Sequence, residues 1–211
     1  MGVTVAKSAG FCFGVSRAVE LVETAARQGS RTLTLGPIIH NRHVVERFRQ
    51  MGVRVIDTPE EAGAGDTVII RSHGVSRDVY RHLEATGANI VDATCPFVKR
   101  IHKLVAQAEA EGKLPIIIGT PTHPEVEGIA GWCTNCRVFE NVEAMEKWVQ
   151  EENVPPDLPV CMVSQTTSTE ILWKKCVNFA KKQFTYLQTF DTICKATECR
   201  QREASELSQR C

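Results

Sequence analysis

The sequence predicts an α/β protein made of repeated small parallel-sheet lobes around a central pseudo-threefold axis. Three observations lead there. Short β-branched runs alternate with amphipathic stretches of helical period, glycine and proline punctuate the joints, and the loops after the runs recur at a constant spacing.

Along the chain, Val3–Val5 reads as a lone first strand, followed by a helix over Val15–Gln28 that Gly29 stops. Thr32–Leu35 has the length and composition of a buried strand, and Asn41–Gln50 has helical period up to Gly52. Val53–Ile56 and Thr67–Ile70 are short and β-branched, as strands covered on both faces are. Ser76 is an N-cap candidate for a helix over Arg77–Ala85 that Gly87 ends, and Asn89–Val91 is the next strand. Pro96 suits the first helical position before Phe97–Glu111, which Gly112 closes. Pro115–Ile118, Arg137–Phe139, Val160–Val163 and Gln188–Phe190 complete the strands, with Ser168 expected to cap a helix over Glu170–Gln183.

With 211 residues the chain can bury a substantial core without disulfide staples. Its 25 basic and 25 acidic side chains cancel, which argues against a general nucleic-acid or membrane-surface binder. No apolar run approaches the roughly 20 residues of a membrane helix, and no leader pattern opens the chain, so a cytoplasmic location is expected. The nine cysteines stand out. In a cytosolic chain such a count points to metal, cluster or redox chemistry before disulfides.

Cys12 and Cys95, Gly36 and Gly119, and His40 and His123 are each 83 residues apart. Gly36-Pro37-Ile38-Ile39-His40 lies over Gly119-Thr120-Pro121-Thr122-His123, and Ser72-His73-Gly74-Val75-Ser76 over Ser164-Gln165-Thr166-Thr167-Ser168. Cys194 follows Cys95 by 99 residues. The expected organisation is therefore a first lobe over 14–95 and a second over 96–194, with residues 195–211 starting a truncated third lobe whose strand lies within 1–13. A tail helix from Arg200 would carry Ala204, Leu207 and Cys211 on one stripe. Without the rest of the third lobe, poor stability and weak activity are expected.

Cys12, Cys95 and Cys194 each fall between a strand and a helix, at the sheet edge where open α/β folds place ligands and where a helix N-terminus lowers a thiol pKa. Three converging thiolates would suit a four-iron cluster with one iron free of protein ligands, or a zinc site with an open position; buried free cysteines are the plainer alternative. Cys133-Thr134-Asn135-Cys136 is a CxxC that precedes a strand instead of opening a helix, so two incidental turn cysteines are the simplest account. Cys161 and Cys176 have apolar neighbours and read as core. His40, His73 and His123 follow strands on the same edge, where imidazoles could hold an anionic substrate or move protons; His43, His82 and His102 lie in helical stretches and read as surface or core. Glu125 and Glu127 are general-acid candidates, although a first-turn glutamate after Pro124 also serves the helix dipole, and only one should face the site. Thr166 and Thr167 offer hydroxyls there.

Together the motifs Gly10-Phe11-Cys12-Phe13-Gly14-Val15, His40-Asn41-Arg42, Ser72-His73-Gly74-Val75, Asp92-Ala93-Thr94-Cys95-Pro96, His123-Pro124-Glu125-Val126-Glu127-Gly128, Gln165-Thr166-Thr167 and Asp191-Thr192-Ile193-Cys194 resemble, in order along the whole chain, the hydroxymethylbutenyl diphosphate reductase family of LytB/IspH type. The resemblance implies an iron–sulfur oxidoreductase that reductively removes the hydroxyl of 4-hydroxy-3-methylbut-2-enyl diphosphate, yielding isopentenyl and dimethylallyl diphosphate, the last step of the non-mevalonate isoprenoid pathway. It implies a [4Fe-4S] cluster on Cys12, Cys95 and Cys194 and a diphosphate site at His40, His73 and His123. It further implies proton delivery by Glu125 with Thr166 completing the relay, and a ferredoxin or flavodoxin as electron donor. The cysteine at 199 departs from the family pattern and is a possible competitor for iron. Two other classes remain: a truncated, catalytically impaired iron–sulfur or zinc-binding module, and a thiol oxidoreductase on Cys133 and Cys136.

Overall fold

The computed structural model describes residues 3–209. In chain order the elements are α1 (Phe13–Arg27), β1 (Thr32–Leu35), α2 (Arg42–Gln50), β2 (Arg54–Ile56), β3 (Thr67–Ile70), α3 (Arg77–Ala85), β4 (Asn89–Asp92) and α4 (Pro96–Ala110). There follow β5 (Leu114–Ile118), α5 (Pro124–Ala130), β6 (Arg137–Phe139), α6 (Val142–Glu151), β7 (Val160–Ser164), α7 (Glu170–Gln183), β8 (Leu187–Thr189) and α8 (Lys195–Ser208).

The strands form two four-stranded sheets, β2-β1-β3-β4 and β6-β5-β7-β8, and every pairing is parallel. The two orders are the same, element for element, so the 83-residue spacing of the sequence is a repeat of topology: Arg54–Ile56 and Arg137–Phe139 occupy equivalent outer positions. In each sheet the chain leaves the first strand to one side and returns on the other. That reversal opens a crevice at the carboxyl ends of the two central strands, where such folds bind ligands.

Alternation along the strands feeds two apolar layers per sheet. Leu33, Leu35, Val68 and Ile70 pack toward Leu83 of α3, whereas Ile69 faces Ala18 and Val22 of α1 and Phe48 of α2. In the second sheet Ile116, Ile118 and Met162 pack with α6 and α7, and Ile117 and Val163 with Ile101 and Val105 of α4 and Ile129 of α5. Ile116, Ile117 and Ile118 are fully buried, each contributing about 1.5–3 kcal/mol of transfer free energy. Cys161 and Cys176 lie in the core, as their neighbours suggested.

Local signals explain most boundaries. Ser76 Oγ accepts from Val79 N–H and Pro96 is the first residue of α4. Three readings need correction. Ser168 is not the cap of α7: Thr169 is, its hydroxyl accepting from Leu172 N–H, while Ser168 Oγ donates to Ile118 O. Residues 3–6 form no strand, and Val3 and Val5 are exposed, because no strand edge pairs with them among the described residues. The segment is tied instead by Glu203 of α8, which accepts from Lys7 N–H and Ser8 N–H. Finally, α6 went unnamed in the sequence; Asn141 caps it by accepting from Ala144 N–H at 2.7 Å, and Met145, Trp148 and Val149 give it a buried stripe. No described residue of α8 is buried, Ala204 is exposed, and Cys211 lies outside the described residues. Among the described residues no helix is long and apolar enough to cross a membrane.

His102 of α4 is buried, stacked on the Trp132 ring at 5.1 Å, and burial pushes its pKa down to about 4. The folded state then binds fewer protons at this site than the unfolded state, whose histidine titrates near 6.5. The resulting stability is present above pH 6.5 and drains away as pH falls toward 4, by about 3 kcal/mol at most. Urea unfolding at pH 7 and pH 4.5 is expected to show this loss, and His102→Gln, which cannot titrate, should flatten it. An unchanged pH slope in His102→Gln would place the acid sensitivity elsewhere.

Candidate functional site

Each of the three repeat-placed cysteines is the residue immediately before a helix: Cys12 precedes α1, Cys95 precedes α4 and Cys194 precedes α8. Backbone ties hold two of them on the sheet edges, since Cys95 N–H donates to Ser72 O and Cys194 N–H to Thr166 O, each at 2.9 Å. All three line one cavity of ≈ 190 Å³, together with His73, Glu125 and Thr166. Gly14 is required there by close approach: a Cβ at this position would sit 2.6 Å from Cys95 Sγ. Burial pushes the Cys95 thiol up, outweighing the backbone N–H groups of Phe97 and Val98 that stabilise its thiolate. For this cysteine the expected lowering by the helix terminus is therefore overturned by desolvation.

Among the described residues no three His, Cys, Asp or Glu side chains are grouped closely enough to hold a single metal ion. The donor set of the shared cavity, three thiols, is one that fits an iron–sulfur group. Cys199 is exposed on α8 and does not line this cavity.

Glu125 is the glutamate that turns inward. It is 3% exposed, whereas Glu127, two residues along α5, is exposed. Thr166 donates to it twice, backbone N–H to Oε1 at 2.6 Å and Oγ1–H to Oε2 at 2.7 Å. Burial nevertheless dominates and raises the carboxyl pKa.

Against this pair lies a triad of imidazoles. The ring centroids of His40 and His73 are 4.6 Å apart, those of His73 and His123 5.7 Å, and those of His40 and His123 6.1 Å. Burial together with His40, Arg71 and His123 pushes the His73 pKa down to about 3, so its ring is neutral at physiological pH, and its buried Nδ1 has no partner. His123 is lowered for similar reasons, and its Nδ1 accepts from Glu125 N–H, starting α5. Gly74, at φ +75°, follows His73; a Cβ there would meet the His102 ring at 2.6 Å.

Arg71 was missed in the sequence. It is half-buried beside the imidazoles with its Nε unpartnered, and burial lowers its pKa while Glu127 opposes this. The available signal was its position directly after β3, in Arg71-Ser72-His73. The site therefore joins a three-thiol cavity, a protonatable carboxyl with a hydroxyl partner, and a cluster of three imidazoles beside the Arg71 guanidinium. Cys133 and Cys136 lie outside it.

The chain resembles known proteins along its length. The family model of the LytB protein matches residues 3–211. A protein of Caldanaerobacter subterraneus subsp. tengcongensis named 4-hydroxy-3-methylbut-2-enyl diphosphate reductase is 41% identical, the match covering 100% of this chain and 73% of that protein. A Clostridioides difficile protein of the same name is 37% identical over 99% of this chain and 74% of its own. Among solved structures, that of (E)-4-hydroxy-3-methyl-but-2-enyl diphosphate reductase, described as the terminal enzyme of the non-mevalonate pathway, matches with a TM-score of 0.80 at 38% identity, covering 97% of this chain and 72% of that one. The Plasmodium falciparum E-1-hydroxy-2-methyl-but-2-enyl-4-diphosphate reductase superposes with a TM-score of 0.88 at 29% identity, covering 96% of this chain and 64% of its own. Sequence and fold agree over nearly every described residue, and the chain belongs to the LytB family of 4-hydroxy-3-methylbut-2-enyl diphosphate reductases.

Proposed function

We propose that this chain carries the reductive dehydroxylation of 4-hydroxy-3-methylbut-2-enyl diphosphate to isopentenyl and dimethylallyl diphosphate, with Cys12, Cys95 and Cys194 as ligands of a [4Fe-4S] cluster. The carrying observation is the single cavity lined by those three thiols and by the Glu125–Thr166 pair. When bound, a cluster held by three thiolates supplies one-electron reduction and a Lewis-acidic iron without a protein ligand.

The remaining steps belong to the chain's own residues. The diphosphate is an anion that needs donors: His40, His73 and His123 present imidazole N–H groups and Arg71 a positive charge. Removing the hydroxyl takes two electrons and two protons, one leaving with water and one ending on carbon. Burial raises the Glu125 pKa and so eases its protonation, and Thr166 Oγ1, which donates to Oε2 at 2.7 Å, is placed to relay a proton between that carboxyl and the substrate. Water exclusion by the buried wall around Glu125 and Thr166 keeps those transfers directed. The electrons would arrive from a ferredoxin or flavodoxin, in the cytoplasm. In the same reading, residues 14–95 and 96–194 are the first two lobes around the cluster and the segments 1–13 and 195–211 belong to a third.

Anaerobic purification followed by iron and sulfide counting and electron paramagnetic resonance tests the proposal. About four irons and four sulfides per chain, and a signal on one-electron reduction, are expected. A colourless protein with stoichiometric zinc would overturn it.

A further inference from the structure

The CxxC set aside in the sequence carries an inference that does not depend on the cluster. The turn Cys133-Thr134-Asn135-Cys136 joins α5 to β6, and its shape is imposed from outside. Glu109 of α4 reaches across and accepts three hydrogen bonds through Oε1, from Thr134 N–H at 2.6 Å, Thr134 Oγ1 at 2.7 Å and Asn135 N–H at 2.9 Å. One carboxylate thus clamps both residues between the cysteines. The clamp fixes the turn in which the Cys133 and Cys136 side chains are neighbours. Both are half-buried and free, and Cys133 Sγ also donates to Ala130 O at 3.4 Å.

The same turn ends a strap between the sheets. Trp132 Nε1–H donates to Val75 O, Arg77 Nη2–H donates to Trp132 O, and Arg77 N–H donates to Gly131 O. On its outer side Thr134, Asn135 and Arg137 form part of the wall of a ≈ 510 Å³ cleft, where Lys113 adds a second cation. Glu109 and Glu152 share that lining, with Arg137 paired to Glu152, so the cleft brings small solutes to the outer side of the turn without selecting for charge.

We propose that Cys133 and Cys136 are a reversible redox modification site, closing to an intramolecular disulfide by exchange with a low-molecular-weight disulfide such as oxidised glutathione. The Arg137 guanidinium donates to Cys136 O and so lies beside that thiol, while the Cys133 S–H is held by Ala130 O, which makes Cys136 the first nucleophile. Its thiolate attacks one sulfur of the external disulfide, forming a mixed disulfide and releasing one thiolate. Cys133, deprotonated in turn, attacks the Cys136 sulfur and releases the second. Two protein thiols are oxidised, one external disulfide is reduced, and both protons pass to the released thiols.

The sequence makes the test direct, because the tryptic peptide Leu114–Arg137 contains Cys133 and Cys136 and no other cysteine. The reduced chain, handled anaerobically, is equilibrated with graded ratios of reduced to oxidised glutathione, quenched in acid, alkylated and mapped by mass spectrometry. The peptide is expected to lose two hydrogens and escape alkylation in most molecules at the oxidising end, and to recover with dithiothreitol. Glu109→Ala should lower the disulfide-to-dithiol ratio about tenfold at a fixed buffer by releasing the turn, while Glu109→Gln, which keeps a carbonyl acceptor, should stay near the parent. A peptide that remains doubly alkylated at every ratio, stops at a glutathione adduct, or is protected by stoichiometric zinc would overturn the proposal.

Discussion

Serine in place of Cys95 is expected to reduce iron and acid-labile sulfide to background, and Cys12→Ser and Cys194→Ser to do the same, whereas Cys133→Ser and Cys136→Ser keep full occupancy. The basis is placement. The first three sulfurs stand at the starts of three different helices and share one cavity, while the pair occupies a turn outside it. Serine preserves volume and hydrogen bonding but replaces a soft thiolate with a hard, weakly acidic hydroxyl, and iron–sulfur ligation depends on the thiolate. At Cys95 the close approach of Gly14 to the sulfur also leaves little freedom for a substitute to realign. Iron and sulfide counts on anaerobically purified variants, compared at equal protein concentration, decide the matter. Equal losses in Cys133→Ser and Cys12→Ser would sink the three-cysteine assignment.

Glu125→Gln is expected to retain iron content and substrate affinity while turnover falls by about a hundredfold or more, the usual loss on removing a general acid. Glutamine fills the same buried space and its carbonyl oxygen can still accept from Thr166, so structure should persist while the transferable proton disappears. Glu127→Gln should change turnover by only about twofold, since a surface charge at this distance is screened. Its exposed side chain faces Arg71 and the first-lobe cleft instead of the thiols. Steady-state turnover of both variants against the parent, with substrate binding measured separately, distinguishes them. Comparable losses in the two would mean that both glutamates act through the N-terminal charge of α5 and not through proton transfer.

Much of this was readable from residues alone, because the signals were local or periodic. The 83-residue offset from His40 to His123 and from Cys12 to Cys95 reflects a duplicated β2-β1-β3-β4 order, and the strand and helix ranges shift by only a residue or two at most ends. The seven motifs in register identified the family independently of any coordinate. Local propensity also misled where a tertiary partner decides. Val3–Val5 has strand composition but no neighbouring edge, and Ser168 is as good an N-cap by type as Thr169 yet is drawn to Ile118 O.

What remained undecided required distances between elements far apart in the chain. Which of Glu125 and Glu127 enters the cavity depends on how α5 is rotated against Thr166, 41 residues further on. Whether the Cys95 thiol is lowered or raised depends on desolvation by α1, which composition does not report. Arg71 gains its meaning only where two sheet edges bring three histidines around it, and the CxxC only because Glu109, 25 residues upstream, closes the turn. Periodicity and motif order travel with the sequence because the backbone reads them locally. Desolvation, side-chain rotation and the meeting of charges are properties of packed neighbours, and they exist once the two sheets have come together.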